Sequence, residues 1–406
     1  MVESVRTVAH NSMIKAIEEA VEKNVSDDGT TTRDISVGID GTWQRRGFAS
    51  LNGIVSVSSF DTSKILDVEI LTKYCHTCST SKSNKQKKGH HFCEKNFEGS
   101  SGSMEVAGAK SVFSRSVATR NVRYKYYLGD GDCKGFSTVV ESQPYGPTFN
   151  IEKLECVGHV QKRMGGRLRK LRRDLKGQKL SDGLKIGGKK GRLTDSVIDS
   201  LQNYYGLAIR RNKNNLEKMK SDVLGILFHK ASTDDTPQHQ HCDEAWCKYK
   251  QAIKENKTYK HNNSLDKVII DQIKPIFEDL AKTELLEKCL HGRTQNINES
   301  FNSVVWSRIP KNNFVGRQTL RFGTFDSVIT FNEGNRGRLE VLKELGVKVG
   351  RNCARFLSDI DRYRMMKSEI SCDEKTKQAR KRTRMIRKKL WDADKEKEQD
   401  YAAGMF

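Results

Sequence analysis

The chain has 406 residues, of which 35% are hydrophobic, and a formal net charge of +22 at pH 7. That length suits one elaborated domain or two smaller ones and still supports a sizeable core. Nothing approaches the roughly 18 consecutive apolar residues of a membrane helix, and the N-terminus mixes charges into every turn, unlike a signal peptide, so a soluble, intracellular protein is expected.

Residues 1–33 read as a leader: a helical stretch with Ile14, Ile17 and Val21 on one side, then the polar run SDDGTTT. Three strands follow at Ile35–Ile39, Gly53–Phe60 and Ile65–Leu71, separated by turn residues in the manner of an antiparallel meander. A polar, Lys-rich insertion spans 79–98, and a helix is expected over 101–119. Arg123–Leu128 is a fourth strand, a short helix starts near Lys134, and Leu154–Val160 reads as a fifth strand running into a basic helix. Residues 161–290 look mainly helical, with a flexible basic break at Gly187–Arg192 and a helix from Asp195.

This order is that of an α/β protein with an RNase-H-like mixed-sheet core and a long helical insertion before the last core helix. The expected segments are the leader (1–33), the first part of the core (34–160), the basic insertion (161–290), a closing segment carrying Glu299 (291–350) and a basic helical tail (351–406).

The charge is concentrated. Between Gln161 and Arg192 there are thirteen Lys/Arg against two acids, Asp174 and Asp182; Lys375–Lys389 holds nine Lys/Arg and no acid. Those windows carry +11 and +9, which leaves +2 of the +22 for the remainder. Such concentration is the footprint of a polyanion partner, and nucleic acid is favoured over a membrane because neither run has an apolar face with aromatic anchors. Arg163, Arg167, Lys170 and Arg173 share a helical face suited to a DNA backbone, with Lys189, Lys190 and Arg192 in the glycine-rich break beside them. The run at 375–389 reads as a nuclear localisation signal, a DNA-backbone arm, or both.

Three carboxylate positions stand out. Asp40 follows the apolar ISVGI and precedes Gly-Thr-Trp43; Asp130 follows YKYYL and opens Gly129-Asp-Gly-Asp132. Asp-Gly as a plain turn marker competes with a functional reading at both places. Glu299 starts a helix whose apolar stripe is Ile297, Phe301, Val304 and Val305, and it lies opposite that stripe beside Asn302 and Trp306. A capping box with Asn296 as N-cap and Glu299 at its third position is the rival here. Acids from two strand ends and a late helix suit Mg²⁺ or Mn²⁺, which take carboxylate oxygens and leave positions for water and phosphate.

Among ten cysteines, Cys75, Cys78, His91 and Cys93 form a set with zinc-site composition, His90 being an alternate for His91. A weaker set is His229, His239, Cys242 and Cys247, with His241 as alternate, which would staple helices of the insertion. Unrelated buried thiols are the competing reading of both. Cys156 and His159 also raise a thiol-nucleophile reading, which is disfavoured because on a strand they point to opposite faces.

Taken together, DGTW (40–43), Tyr74-Cys-His-Thr-Cys78, His91-Phe-Cys93, Asn96–Glu105, LGDGD (128–132), Glu155-Cys-Val-Gly-His159, Ser232-Thr-Asp234, Trp246-Cys247, Gln295–Asn302 and Val305–Pro310 resemble the Mutator-like transposase domain, in order, over about residues 34–350. The resemblance implies an RNase-H-like fold, a DDE active site and cut-and-paste transposition of double-stranded DNA by metal-dependent cleavage and strand transfer. It implies Asp40 as first acid, Asp130 as second with Asp132 as alternative, and Glu299 as third, with Mg²⁺ held by all three. Cys156-x-x-His159 matches the CxxH signature of related transposases and is kept apart from the acids. A nuclear location and structural Zn²⁺ are expected, and a homo-oligomer is left open. The rival is a host-adopted or decayed copy that binds DNA without cutting it.

Overall fold

The computed structural model describes residues 1–24, 32–45, 50–83, 90–129, 134–188 and 190–399. Its centre is a five-stranded mixed sheet. β1 (Asp34–Trp43), β2 (Asn52–Ser59) and β3 (Ile65–Thr72) form the antiparallel meander, while β4 (Arg123–Gly129) and β5 (Glu152–Glu155) run parallel to β1 on its other side, giving the order β3-β2-β1-β4-β5.

Side chains alternate across β1, and that alternation positions the site. Ile35, Val37 and Ile39 pack with Val112 and Phe113 of α3 (Ser101–Arg120) on one face. Gly38 and Asp40 therefore point to the other face, where α11 (Asn296–Arg308) and α12 (Arg317–Glu333) bury Phe301, Val305, Leu320 and Val328. Gly38 is required there by close approach: an added Cβ would lie 2.9 Å from Asn298 Oδ1 and from Ser58 Oγ.

Two expectations are corrected. The segment read as a leader contains α1 (Val2–Glu22), which belongs to the core: Ala9, Ala16, Ile17 and Ala20 are fully buried, whereas Ile14 is 38% exposed. Small alanines let α1 lie close along α12, where Ser12 donates to Glu333 at 3.0 Å. The fifth strand is also shorter than Leu154–Val160. Its ladder with β4 ends at the Gly129–Glu155 pair, Cys156 becomes an N-cap, and α5 (Val157–Asp174) starts immediately.

The insertion is helical, as its composition predicts, and has its own hydrophobic core. It comprises α5, α6 (Asp195–Arg211), α7 (Leu216–Ala231), α8 (Lys248–Lys254), α9 (Lys267–Leu280) and α10 (Thr283–Glu287), after a short α4 (Lys134–Glu141). Met164, Leu168, Leu201, Tyr205, Val223, Ile273 and Phe277 fill its centre. A short α2 (His76–Ser83) follows β3. Beyond α13 (Arg338–Glu344), the tail forms α14 (Arg351–Cys372) and α15 (Glu374–Gln399), and the described basic side chains of 375–389 are exposed. No helix among the described residues is long and apolar enough to cross a membrane.

Candidate active site and metal clusters

One face of α11 is fastened to the end of β1 by amides. Gln295, the N-cap, donates through Nε2 to Ile39 O at 2.6 Å; Asn298, fully buried, donates to Gly38 O and Ser56 O and accepts from Ser58 Oγ at 2.6 Å. One turn on, Asn302 Nδ2 donates to Asp40 Oδ2 at 2.7 Å, and Trp306 Nε1 donates to Thr42 Oγ1 at 2.8 Å. Sequence reasoning gave these amides no role. Their spacing (295, 298, 302) is one helix face, and buried polar groups on such a face demand partners.

Asn302 thus fastens α11, the helix that carries Glu299, to Asp40 at the end of β1. The capping box is not formed: Asn296 lies inside the helix, and Glu299 keeps a side chain 57% exposed. Asn302 Oδ1 is buried without a donor beside Asp40. The oxygens gathered here, carboxylates and an orphaned amide carbonyl, are the hard donors a divalent cation such as Mg²⁺ takes. Asp130 and Asp132 lie outside the described residues.

The Cys-x-x-His pair closes this side. Cys156 is buried and its Sγ accepts from Gln295 N at 3.4 Å, which joins the start of α5 to the start of α11. His159, one turn into α5, brings Nε2 to 4.0 Å from Glu299 Oε1. Cys156 therefore faces a backbone N–H, and His159 faces an acid. Glu155 just upstream is buried and ion-paired with Arg163 at 2.7 Å, and its carbonyl accepts from His291 at 3.1 Å.

Both Cys/His sets come together as expected, and each could hold a metal ion, with ligand atoms within 4.8 Å of one another. In the first, Cys75 and Cys78 lie 3.5 and 3.4 Å from His91 Nε2, and Cys78 lies 3.6 Å from Cys93. In the second, His229 Nδ1 and His239 Nδ1 are 3.2 Å apart, with Cys242 3.4 Å from His229 and Cys247 3.4 Å from His239. Zinc–ligand bond lengths in a tetrahedron require separations of about 3.3 Å for N–N, 3.6 Å for N–S and 3.8 Å for S–S, so both sets fit. The alternates are not used: His90 is exposed, and His241 stacks on Phe228.

The local electrostatics of the two sets differ. The Cys78 backbone N–H helps lower the Cys75 thiol to about 6, toward the thiolate a metal requires. Burial pushes His229 and His239 down to about 4, which keeps them neutral at pH 7 in the ligating form. The same burial pushes Cys242 up to about 12, a cost that a bound cation would remove.

A family model described as Mutator-like transposase matches residues 1–247. The chain belongs to the Mutator-like transposase family. The match takes in α1, ahead of the motifs that start near residue 34, and ends at Cys247, the last ligand of the second cluster; Glu299 lies beyond it. No curated protein matches the chain.

Membership in a transposase family implies DNA as partner, which makes the fate of the basic residues informative. Most arginines of α5 are tied to acids: Arg163 to Glu155, Arg167 to Asp279, Arg169 to Asp199 and Arg172 to Asp195. Arg192 is 2% exposed, held by Asp182 and Asp266, and is corrected from a DNA-facing to a structural residue. Lys170, Arg173 and Lys190 remain exposed, and Lys189 lies outside the described residues.

Proposed function

We propose that this transposase carries an RNase-H-like catalytic core of the DDE type, cutting and joining double-stranded DNA at transposon ends and target. The observation that carries the reading is the bridge from Asn302 to Asp40, which brings the Glu299 face of α11 onto the end of β1. The strand order, with three antiparallel strands followed by two parallel ones beyond β1, supports the same core.

Asp40, Glu299 and Asp130 (or Asp132) would hold Mg²⁺ or Mn²⁺. Bound there, the metal would activate an attacking water or 3′-hydroxyl and offset charge on the leaving oxygen. Asn302 fixes one Asp40 oxygen, so the carboxylate is oriented before any cation arrives. Glu299 is exposed enough to meet substrate, and His159 backs it from α5. The two Cys/His clusters are closed four-ligand sets, which is the composition of structural Zn²⁺. Lys170, Arg173 and Lys190 are the DNA-backbone contacts in this reading, and the exposed run on α15 is a nuclear localisation signal.

The test is cleavage of the element's own ends with Mg²⁺ or Mn²⁺, comparing wild type with Asp40→Ala and Glu299→Ala. Loss of cleavage in both, with DNA binding kept, is expected. Metal-dependent cleavage that survives both substitutions overturns the site, and binding without any cleavage by wild type favours a non-catalytic, host-adopted protein.

A further inference from the structure

The Ser232-Thr-Asp234 motif has no part in the catalytic reading, yet it sits beside the second Cys/His cluster. Ser232 Oγ accepts from Gln238 N at 2.9 Å, and Ser232 O accepts from Ser264 Oγ, so the motif ties together the two loops that flank the cluster. Asp234 Oδ1 meets both the backbone N and the ring Nδ1 of His261 at 2.7 Å. His261, whose side chain is 7% exposed, then places Nε2 2.9 Å from Nε2 of His239. Tyr249 stacks on the His239 ring at 4.1 Å, and Tyr259 stands edge-on to His261 at 5.0 Å, so neither imidazole can turn freely.

These contacts leave one consistent arrangement of protons. His239 faces the other three ligands with Nδ1, so a metal there takes the Nδ1 lone pair and the ring proton must sit on Nε2. That N–H can bond to His261 only if His261 Nε2 is an acceptor. The His261 proton is then on Nδ1, where Asp234 accepts it. Any other assignment of the neutral rings sets two donors or two acceptors against each other. Partners of this kind fix the tautomer and orientation of a ligating histidine and raise its basicity.

We propose that Asp234 and His261 are the outer shell of a divalent-metal site formed by His229, His239, Cys242 and Cys247, holding His239 in the tautomer that ligates through Nδ1. This rests on the zinc reading of the second cluster. It extends the site to Asp234, which lies between two of the ligands in the chain, and to His261, which follows the last of them, and it gives the Ser-Thr-Asp motif a role.

The experiment uses the full chain loaded with Zn²⁺ and a chromophoric chelator in competition. Wild type should hold two equivalents, one for each cluster. His261→Ala and Asp234→Ala should weaken one equivalent by about 10–100-fold, the usual effect of losing an outer-shell partner, while the equivalent at Cys75, Cys78, His91 and Cys93 stays as it was. Asp234→Glu should recover part of the loss. Selective ¹⁵N labelling of the histidines gives a second readout in wild type alone: a metal-bound Nδ1 and protonated Nε2 on His239, and a protonated Nδ1 on His261. A wild type that holds one equivalent, unchanged by His239→Ala, overturns the zinc reading and the proposal with it. Two equivalents with unchanged affinity in both alanine variants, or a His261 proton on Nε2, overturns the outer shell and leaves the site standing. Should the variants fail to fold, the labelled wild type decides.

Discussion

The end of the sheet and the basic helix α5 treat charge in opposite ways. At the sheet end, Asp40 accepts from the neutral Asn302 amide, and Glu299 stays more than half exposed with His159 4.0 Å away. Along α5, Arg163 and Arg167 of the expected DNA-facing stripe, and Arg169 and Arg172 beside it, are matched with Glu155, Asp279, Asp199 and Asp195. Charge content alone therefore does not mark function. Along α5 the fold supplies a countercharge for most arginines.

That contrast can be broken most directly at the acids. Asp40→Ala or Glu299→Ala should lower metal-dependent cleavage by about 10³-fold or more, the several kcal/mol that metal-held charge supplies in such reactions, as read by single-turnover assay. Activity within tenfold of wild type would mean that the acids at the sheet end are not catalytic. Asn298→Ala should cost about 1–3 kcal/mol by denaturant unfolding, because the backbone carbonyls and hydroxyls it serves stay buried without partners. Cleavage should fall as well, since Asn298 holds the helix that carries Glu299.

The basic side of the contrast is sharpened by salt titration. Lys170→Ala and Arg173→Ala should each reduce the salt slope of DNA binding by about 0.9, one phosphate contact apiece. Arg167→Ala and Arg169→Ala, whose partners are internal acids, should leave the slope near its wild-type value. Equal losses at all four positions would make the ion pairs irrelevant to DNA.

The smallest effect concerns His291, which clamps β5 to the segment before α11 through the carbonyls of Glu155 and Lys288. Burial lowers its pKa below the ordinary 6.5, although its backbone hydrogen bonds act the other way. The unfolded chain takes up a proton near pH 6.5 that the folded chain resists, so the stabilisation is present above that pH and declines as pH falls below it. His291→Gln should flatten this part of the stability–pH profile relative to wild type, measured by urea unfolding between pH 7 and 5.

Much of this was legible from local pattern. Period-two alternation located the first four strands to within a few residues, and short-range Cys/His spacing identified both clusters, because strands and chelate loops are built from neighbours in sequence. The helix of Glu299 was also readable from its apolar stripe. Three features were not. The place of α1 in the core is hard to read from sequence because its buried face includes Ala9, Ala16 and Ala20, which carry little hydrophobic signal but allow close packing against α12. The strand before Cys156 is shorter than its apolar residues suggest, because the β4 ladder it depends on ends at Glu155. Arg192 reads from sequence as a surface cation, but it is buried between Asp182 and Asp266, and Asp266 lies far along the chain.

Family, apolar periodicity and the two Cys/His sets that could hold a metal ion are written in local sequence pattern. Which cations are paired off is a matter of tertiary structure. An ion pair or a side-chain hydrogen bond joins groups a few ångströms apart that can stand far apart in the chain, as Lys15 and Glu333 do at 318 residues and Asn302 and Asp40 at 262, and no local pattern encodes that contact.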